Sequence, residues 1–174
     1  LELSGEQCPT LHCTREELDT HVREVVSVCN ELGLAVLGLG MQPVSTVDEI
    51  EWVPKQRYAI MGPYMLRVGT MGQRMMKQTA TVQANIDYSD ERDAMQKLRV
   101  GMGIAPLVNA MFANSSVSDG DVNGYMSFRG HIWTDTDRAR CGLLPFAFRE
   151  GASFTDYVEW ALDVPLYFIL RGGR

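Results

Sequence analysis

Thr79-Ala80-Thr81-Val82-Gln83-Ala84-Asn85-Ile86-Asp87-Tyr88 alternates between polar and apolar side chains without a break. A period of two sends successive side chains to opposite faces of an extended chain, so these ten residues predict one β-strand. Its apolar face carries Ala80, Val82, Ala84, Ile86 and Tyr88, which predicts burial of Val82, Ala84 and Ile86. The other face carries Thr79, Thr81, Gln83, Asn85 and Asp87. It reads either as the solvated side of an antiparallel strand or as the floor of a polar basin. Gln and Asn are poor choices for an idle face, and a row of side-chain oxygens suits the basin.

Helical patterns surround this strand. From Thr14 to Leu32, apolar residues recur at Leu18, Val22, Val25, Val26, Cys29 and Leu32. Thr14 with Glu17 gives a capping-box pattern at the start, and Gly33 supplies the stop. Leu34-Ala35-Val36-Leu37-Gly38-Leu39 is apolar on both faces and predicts a buried central strand. Residues 55–77 predict helix broken by Pro63 and by the Gly69–Gly72 region. The methionines there (Met61, Met65, Met71, Met75 and Met76) read as adaptable core filling. Ser89-Asp90 opens a helix that carries Met95, Leu98, Met102, Ala105 and Phe112 inward, with a kink expected around Gly101, Gly103 and Pro106. Asn114–Asn123 reads as a turn-rich loop, residues 154–162 as a short helix and residues 164–170 as a closing strand. Helices interleaved with a two-faced strand favour an α+β fold over an all-parallel sheet.

The 174 residues, 45% apolar and 22% charged, suffice for a real core and exclude wholesale disorder. A net charge of −6 argues against broad binding to nucleic acid, which needs clustered Lys and Arg. No apolar run approaches the ~20 residues of a membrane span. The four cysteines (Cys8, Cys13, Cys29 and Cys141) form no Cys-x-x-Cys pair and read as reduced thiols of a cytosolic protein. The chain opens on a strand-like Leu1-Glu2-Leu3-Ser4 and closes at Arg171-Gly172-Gly173-Arg174, which reads as the interior of a longer protein.

Functional side chains crowd into residues 125–138. Arg129 stands in an apolar, small-residue stretch where a guanidinium needs a carboxylate or phosphate, whether from an internal ion pair or from a substrate. Asp135 and Asp137 resemble an oxygen pair for Mg²⁺, and equally the chemistry of a turn. His12, His21 and His131 share no ligand spacing with each other or with the cysteines. Gly38-Leu39-Gly40 lacks the third glycine of a dinucleotide loop, and no Gly-x-Ser-x-Gly elbow occurs.

Longer stretches carry a resemblance. Residues 1–5 (LELSG), 38–43 (GLGMQP), 79–87 (TATVQANID), 112–115 (FANS), 127–137 (SFRGHIWTDTD), 142–146 (GLLPF) and 161–168 (ALDVPLYF) resemble, in this order, the central part of glutamate–cysteine ligases of the plant and proteobacterial type. The resemblance spans nearly the whole chain and makes residues 1–174 one partial catalytic domain. It implies a curved antiparallel sheet with helices on one face, glutamine-synthetase-like, whose concave side holds the substrates.

The implied reaction joins the γ-carboxylate of glutamate to the amine of cysteine at the expense of ATP, as the first step of glutathione biosynthesis. ATP converts the carboxylate, a poor electrophile, into an acyl phosphate, and Mg²⁺ neutralises charge on the phosphoryl oxygens. Matched position by position, Glu2 falls in the metal and glutamate site, and Gln83 and Asn85 face the metal. Arg129 grips a substrate carboxylate as the catalytic arginine, and Trp133 and Thr134 line the pocket. The implied partners are glutamate, cysteine and ATP, with no nucleic acid and no membrane. The implied compartment is the cytoplasm, or the plastid of a plant-like source. The family's Glu-His-Glu motif, placed upstream of Leu1, is absent, so the segment alone is expected to be inactive. A related ligase of ergothioneine biosynthesis, a non-catalytic amino-acid- or nucleotide-binding relative, and a redox-responsive module built on the cysteines are the competing readings.

Overall fold

The computed structural model describes residues 3–169 and residue 171. They fall into two compact units, Leu1–Gly38 and Leu39–Arg174. Secondary structure is of α+β type, with six α-helices and one two-stranded antiparallel sheet among the described residues.

The first unit is built on α1 (Leu11–Glu31). Its cap is Thr10, not Thr14. Thr10 has the extended backbone an N-cap requires (φ −143°, ψ 155°), and its hydroxyl accepts from the Cys13 amide. Thr14 lies one turn inside the helix, and the Glu17 carboxylate reaches the Glu6 amide instead (2.8 Å). Gly33 ends the helix with φ +67°, as expected. Cys8 and Cys13 are joined in a disulfide, which corrects the reading of four reduced thiols; Cys29 and Cys141 are free. The helix start brings these two residues to a Cα–Cα distance of 5.6 Å, within the range a disulfide spans.

The second unit centres on a short helix. α2 (Gln56–Val68) and α3 (Gly72–Gln78) are separated at Gly69–Met71, where the sequence places a break. The loop between them docks on the end of α5 (Phe128–Thr134). The Met71 amide donates to the Asp135 carbonyl (3.0 Å), and Asp135 in turn accepts from the Thr70 amide (3.1 Å) and hydroxyl (2.5 Å). Ile132 and Met65 are fully buried, and Met71 and Met75 pack on the cluster of Met41, Phe128 and Ile132. Of the five methionines expected there, Met65, Met71 and Met75 do fill the core, as flexible side chains able to follow an irregular space, while Met61 and Met76 are half-buried.

α4 (Glu91–Met111), capped by Asp90, runs unbroken through Pro106. Its first half is anchored: Met95 is buried, and the Arg99 Nε donates to Ala147 in a 3-10 turn (Pro145–Phe148). Phe112, expected inward, is exposed. α6 (Phe154–Asp163) starts with a complete capping box between Ser153 and Asp156. The expected turn-rich loop contains a hairpin, β1 (Val117–Ser118) and β2 (Asp121–Val122), closed by Asp119-Gly120 with both residues at positive φ. Buried Gln78 fastens that turn from α3 by donating to Ser45 (2.8 Å) and Asp119 (3.1 Å), while Arg74 forms an ion pair with Asp119 at 2.7 Å.

Three expected strands are corrected. Residues 79–88 begin as a strand, with a bridge between Thr79 and Met41 and hydrogen bonds Gln42 N–Gln78 O and Ala80 N–Gly40 O. Beyond Ala80 no described strand pairs with the chain, and Val82 (90% exposed) and Ile86 (73%) stand in solvent. A β-ladder needs a neighbour to take its amides and an opposing layer to cover its apolar face, and period alone provides neither. Residues 34–39 likewise form no strand, and Leu34, Val36 and Leu37 are exposed. Residues 164–169 also lack a ladder; there the Pro165 carbonyl accepts from Arg140. Leu170 lies outside the described residues. Of the sheet implied by the resemblance, the described residues hold one small hairpin.

Two outcomes follow from this packing. A Cβ on Gly69 would strike the carbonyl oxygens of Asp135 and Thr136, which are backbone and cannot swing aside. Gly69→Ala should cost about 1–3 kcal/mol, read as a lowered thermal midpoint. Asp119 is held below the usual carboxylate range, chiefly by the Arg74 hydrogen bond, which outweighs the opposing effect of burial, with a smaller contribution from Gln78. A depressed folded-state value means stability present above the ordinary Asp value of about 3.9 and lost as pH falls through the folded one. Asp119→Asn should therefore lower the thermal midpoint at neutral pH, by about 0.5–1 kcal/mol given the partial exposure of the pair, and the gap should close in acid.

Candidate functional site

α5 exists because its first turn is capped twice. Ser127 is the N-cap, its hydroxyl accepting from the Gly130 amide (3.2 Å) and donating to Asn109 on α4 (2.8 Å). The Arg129 amide donates to the Ser115 hydroxyl (3.0 Å), and the Phe128 amide to the Ser115 carbonyl (3.3 Å). Phe128 and Ile132, four residues apart, turn into the core. Arg129 and Trp133 share the adjacent stripe, and the guanidinium carbon lies 5.9 Å from the centre of a Trp133 ring.

Arg129 is half-buried. Its Nε is shielded from solvent with no hydrogen-bond partner, and no described carboxylate forms an ion pair with it. Burial alone pushes its pKa below the ordinary arginine value, although a guanidinium starts so high that it keeps its charge. A shielded donor without an acceptor is costly, and such groups in proteins usually answer to a water, an ion or a ligand. Trp133 is 36% exposed, while the Thr134 hydroxyl is engaged with the His131 carbonyl (2.7 Å).

Gln83 and Asn85 share a face, as the alternation requires, with the Gln83 amide donating to the Asn85 oxygen at 2.8 Å. Both are exposed. No hydrogen bond, ion pair or ring contact joins this pair to Arg129, Trp133 or Thr134 among the described residues. Glu2 lies outside the described residues. Asp135 and Asp137 do turn chemistry: Asp135 holds Thr70, and buried Asp137 accepts from the Ala139 amide (3.0 Å) and pairs with Arg140 (2.5 Å). Arg140 also donates to the Tyr64 hydroxyl (3.0 Å) and lies 3.8 Å from the centre of the Tyr167 ring, which ties down residues 164–169.

His131 stacks on Tyr125 (4.6 Å), and no group of three or more His, Cys, Asp or Glu that could hold a metal occurs among the described residues. Burial raises the Cys141 thiol pKa, which disfavours the reactive thiolate. An apolar groove of about 510 Å³ runs along α2 between Trp52, Tyr58 and Leu66, and none of the site residues lines it. Sequence reasoning left Ser115, Asn109 and Ser127 without roles. Ser127 was within reach, as a serine two residues before an arginine in a run with helical spacing of Phe128 and Ile132; the cap from Ser115, twelve residues upstream, had no local signal.

Comparison with known proteins bears on the whole chain. It is 47% identical over 173 residues to "Glutamate--cysteine ligase, chloroplastic" of Brassica juncea, which covers 99% of this chain and 34% of the relative. The "Glutamate--cysteine ligase, chloroplastic" of Arabidopsis thaliana and the "Glutamate--cysteine ligase B, chloroplastic" of Oryza sativa subsp. japonica are each 48% identical over 173 residues, again 99% of this chain and 33% and 35% of the relatives. The chain therefore spans about a third of the length of the curated relatives it matches. With a matching profile over residues 1–174, from the first quoted stretch to the last, the chain belongs to glutamate-cysteine ligase family 2.

Proposed function

We propose that this chain is part of an ATP-dependent ligase that joins the glutamate γ-carboxylate to the cysteine amine, the first step of glutathione biosynthesis. The observation that carries the reading is Arg129: a charged, half-buried fork with a shielded and unanswered Nε, laid beside an indole, in a chain of this family. Two parallel N–H donors match the two oxygens of a carboxylate, which suits an amino-acid substrate. Trp133 shields one side and strengthens the interaction by excluding water. Thr134, its hydroxyl already engaged in the helix, lines the pocket rather than donating to the ligand.

ATP, as a substrate, makes the γ-carboxylate electrophilic by phosphorylation. Mg²⁺ is the expected companion of its phosphates, and Gln83 and Asn85 offer two neutral amide oxygens side by side. One of those oxygens accepts from its neighbour, and a hard dication calls for carboxylates, so the described residues do not constitute a magnesium site by themselves. Glu2 is our candidate for one such carboxylate. The remaining sheet strands, glutamine-synthetase-like in arrangement, are assigned in this reading to the parts of the relatives that the chain does not span. Residues 79–88 would join them through their backbone amides and carbonyls beyond Ala80, with the exposed apolar face covered by an opposing layer and Gln83 and Asn85 turned to the substrates. We favour the plastid over the cytoplasm as the compartment, after the names of the relatives. No helix of the described residues is long and apolar enough to cross a membrane.

The test is Arg129→Lys in the full-length enzyme, which keeps the charge and loses the fork. Catalytic efficiency for glutamate or cysteine should fall about 30- to 1000-fold, equivalent to roughly 2–4 kcal/mol of transition-state binding, with the thermal midpoint hardly changed. Near-normal steady-state kinetics for both amino acids would remove Arg129 from the site.

A further inference from the structure

We propose that Ser115 is a positioning residue for Arg129, fixing the guanidinium by clamping the first turn of α5. The proposal rests on the reading of Arg129 as a substrate-carboxylate ligand. An α-helix leaves its first amides without internal acceptors, and the first three of α5 are all answered by two serines. The Phe128 amide goes to the Ser115 carbonyl, the Arg129 amide to the Ser115 hydroxyl, and the Gly130 amide to the Ser127 hydroxyl. Ser127 is the ordinary cap in sequence. Ser115 is a second cap supplied from another segment, and the amide it holds belongs to Arg129 itself.

Ser115 is suited to the task because it is itself fixed. It is 3% exposed, and its amide donates to the Met126 carbonyl (3.1 Å). The Asn123 side-chain amide, at the foot of the β1–β2 hairpin, donates to the Ser115 carbonyl (3.1 Å) and to the Ser118 hydroxyl (3.3 Å). A bridge pairs Ser115 with Ser127 in parallel sense. The only flexible link between this frame and the guanidinium is the arginine side chain, which Trp133 flanks one turn later. α5 has seven residues; its far end is held at the Asp135 junction, and the two serines fix its first turn, where Arg129 stands. Losing the Ser115 hydroxyl frees the Arg129 amide and lets the first turn fray, displacing the fork while the core contacts of Ile132 persist.

The experiment is a double-mutant cycle in the full-length ligase: wild type, Ser115→Ala, Arg129→Lys and the pair, with KM and kcat measured for glutamate, cysteine and ATP. Ser115→Ala should raise KM for the amino acid that Arg129 holds by about tenfold, the worth of one buried hydrogen bond, and leave KM for ATP within about twofold. In the Arg129→Lys background the same change should have an effect below about twofold, because the group it positions is gone. An equal rise in all three KM values, or full additivity of the two substitutions, would overturn the positioning role while leaving Arg129 in the site. Normal kinetics for Arg129→Lys alone would overturn the underlying reading and this proposal with it. If Ser115→Ala fails to fold, Ser115→Cys takes its place in the cycle. It preserves the side-chain shape and offers only a weak sulfur acceptor, and the same outcomes decide.

Discussion

The backbone of residues 69–71 lies directly against the carbonyls of Asp135 and Thr136, and α2, α3 and α5 are arranged around that contact. It requires a residue without a side chain at Gly69, and it aligns the Met71 amide with the Asp135 carbonyl. Because α2 ends and α3 begins at this loop, the position of both helices is tied to the end of α5. Met65 then closes over Gly72, and Met71 and Met75 reach Phe128 and Ile132. A short helix that could not persist alone becomes a fixed platform because its far end is held by a loop and its near end by two serines.

Polar contacts carry much of this arrangement. Buried hydrophobic residues among those described are few, namely Met41, Met65, Met95, Phe128, Ile132 and Ala147, whereas buried Gln78, Ser115, Thr136 and Asp137 each make specific hydrogen bonds. Satisfied networks of this kind specify geometry more sharply than apolar packing does, since each donor has a direction. Against that background the shielded Arg129 Nε is an exception: a donor left unanswered where the other buried polar side-chain atoms among the described residues have partners.

Helices were the legible part of the sequence, and for a physical reason. A helix satisfies its backbone internally, so period and caps suffice to locate α1, the α2–α3 break, α4 and α6 within a few residues. Strands satisfy their backbone only through neighbours. The Gln83 and Asn85 side chains of the alternation at 79–88 do meet, but the ladder stops at Ala80 and the burial of Val82 and Ile86 was not realised. Leu34–Leu39 failed for the same reason. The Asp119-Gly120 hairpin signal was present and went unread within a longer loop. In the site, Arg129 and Trp133 could be singled out because a guanidinium in an apolar run is conspicuous. Their support could not, because the Ser115 hydroxyl reaches the Arg129 amide across thirteen intervening residues, and nothing in a local pattern marks which serine will cap which helix.

In the proposed reading of Arg129, the same distinction explains why the carboxylate site is built on α5. A guanidinium that is to receive a carboxylate must be partly desolvated before the ligand arrives, or the ligand gains little over water. Holding it there without an acceptor costs free energy, on the order of 1–3 kcal/mol for a shielded donor, and the cost falls on the local structure. A long, self-sufficient helix could absorb it but would leave the arginine free to sample rotamers into solvent. A seven-residue helix clamped at both ends has no such freedom at its backbone, and Trp133 one turn on restricts the side chain. The contacts of Ser115, Ser127 and the Asp135 junction therefore hold the backbone that carries this donor in a set direction, and in the proposed reading the arginine meets its carboxylate from that position.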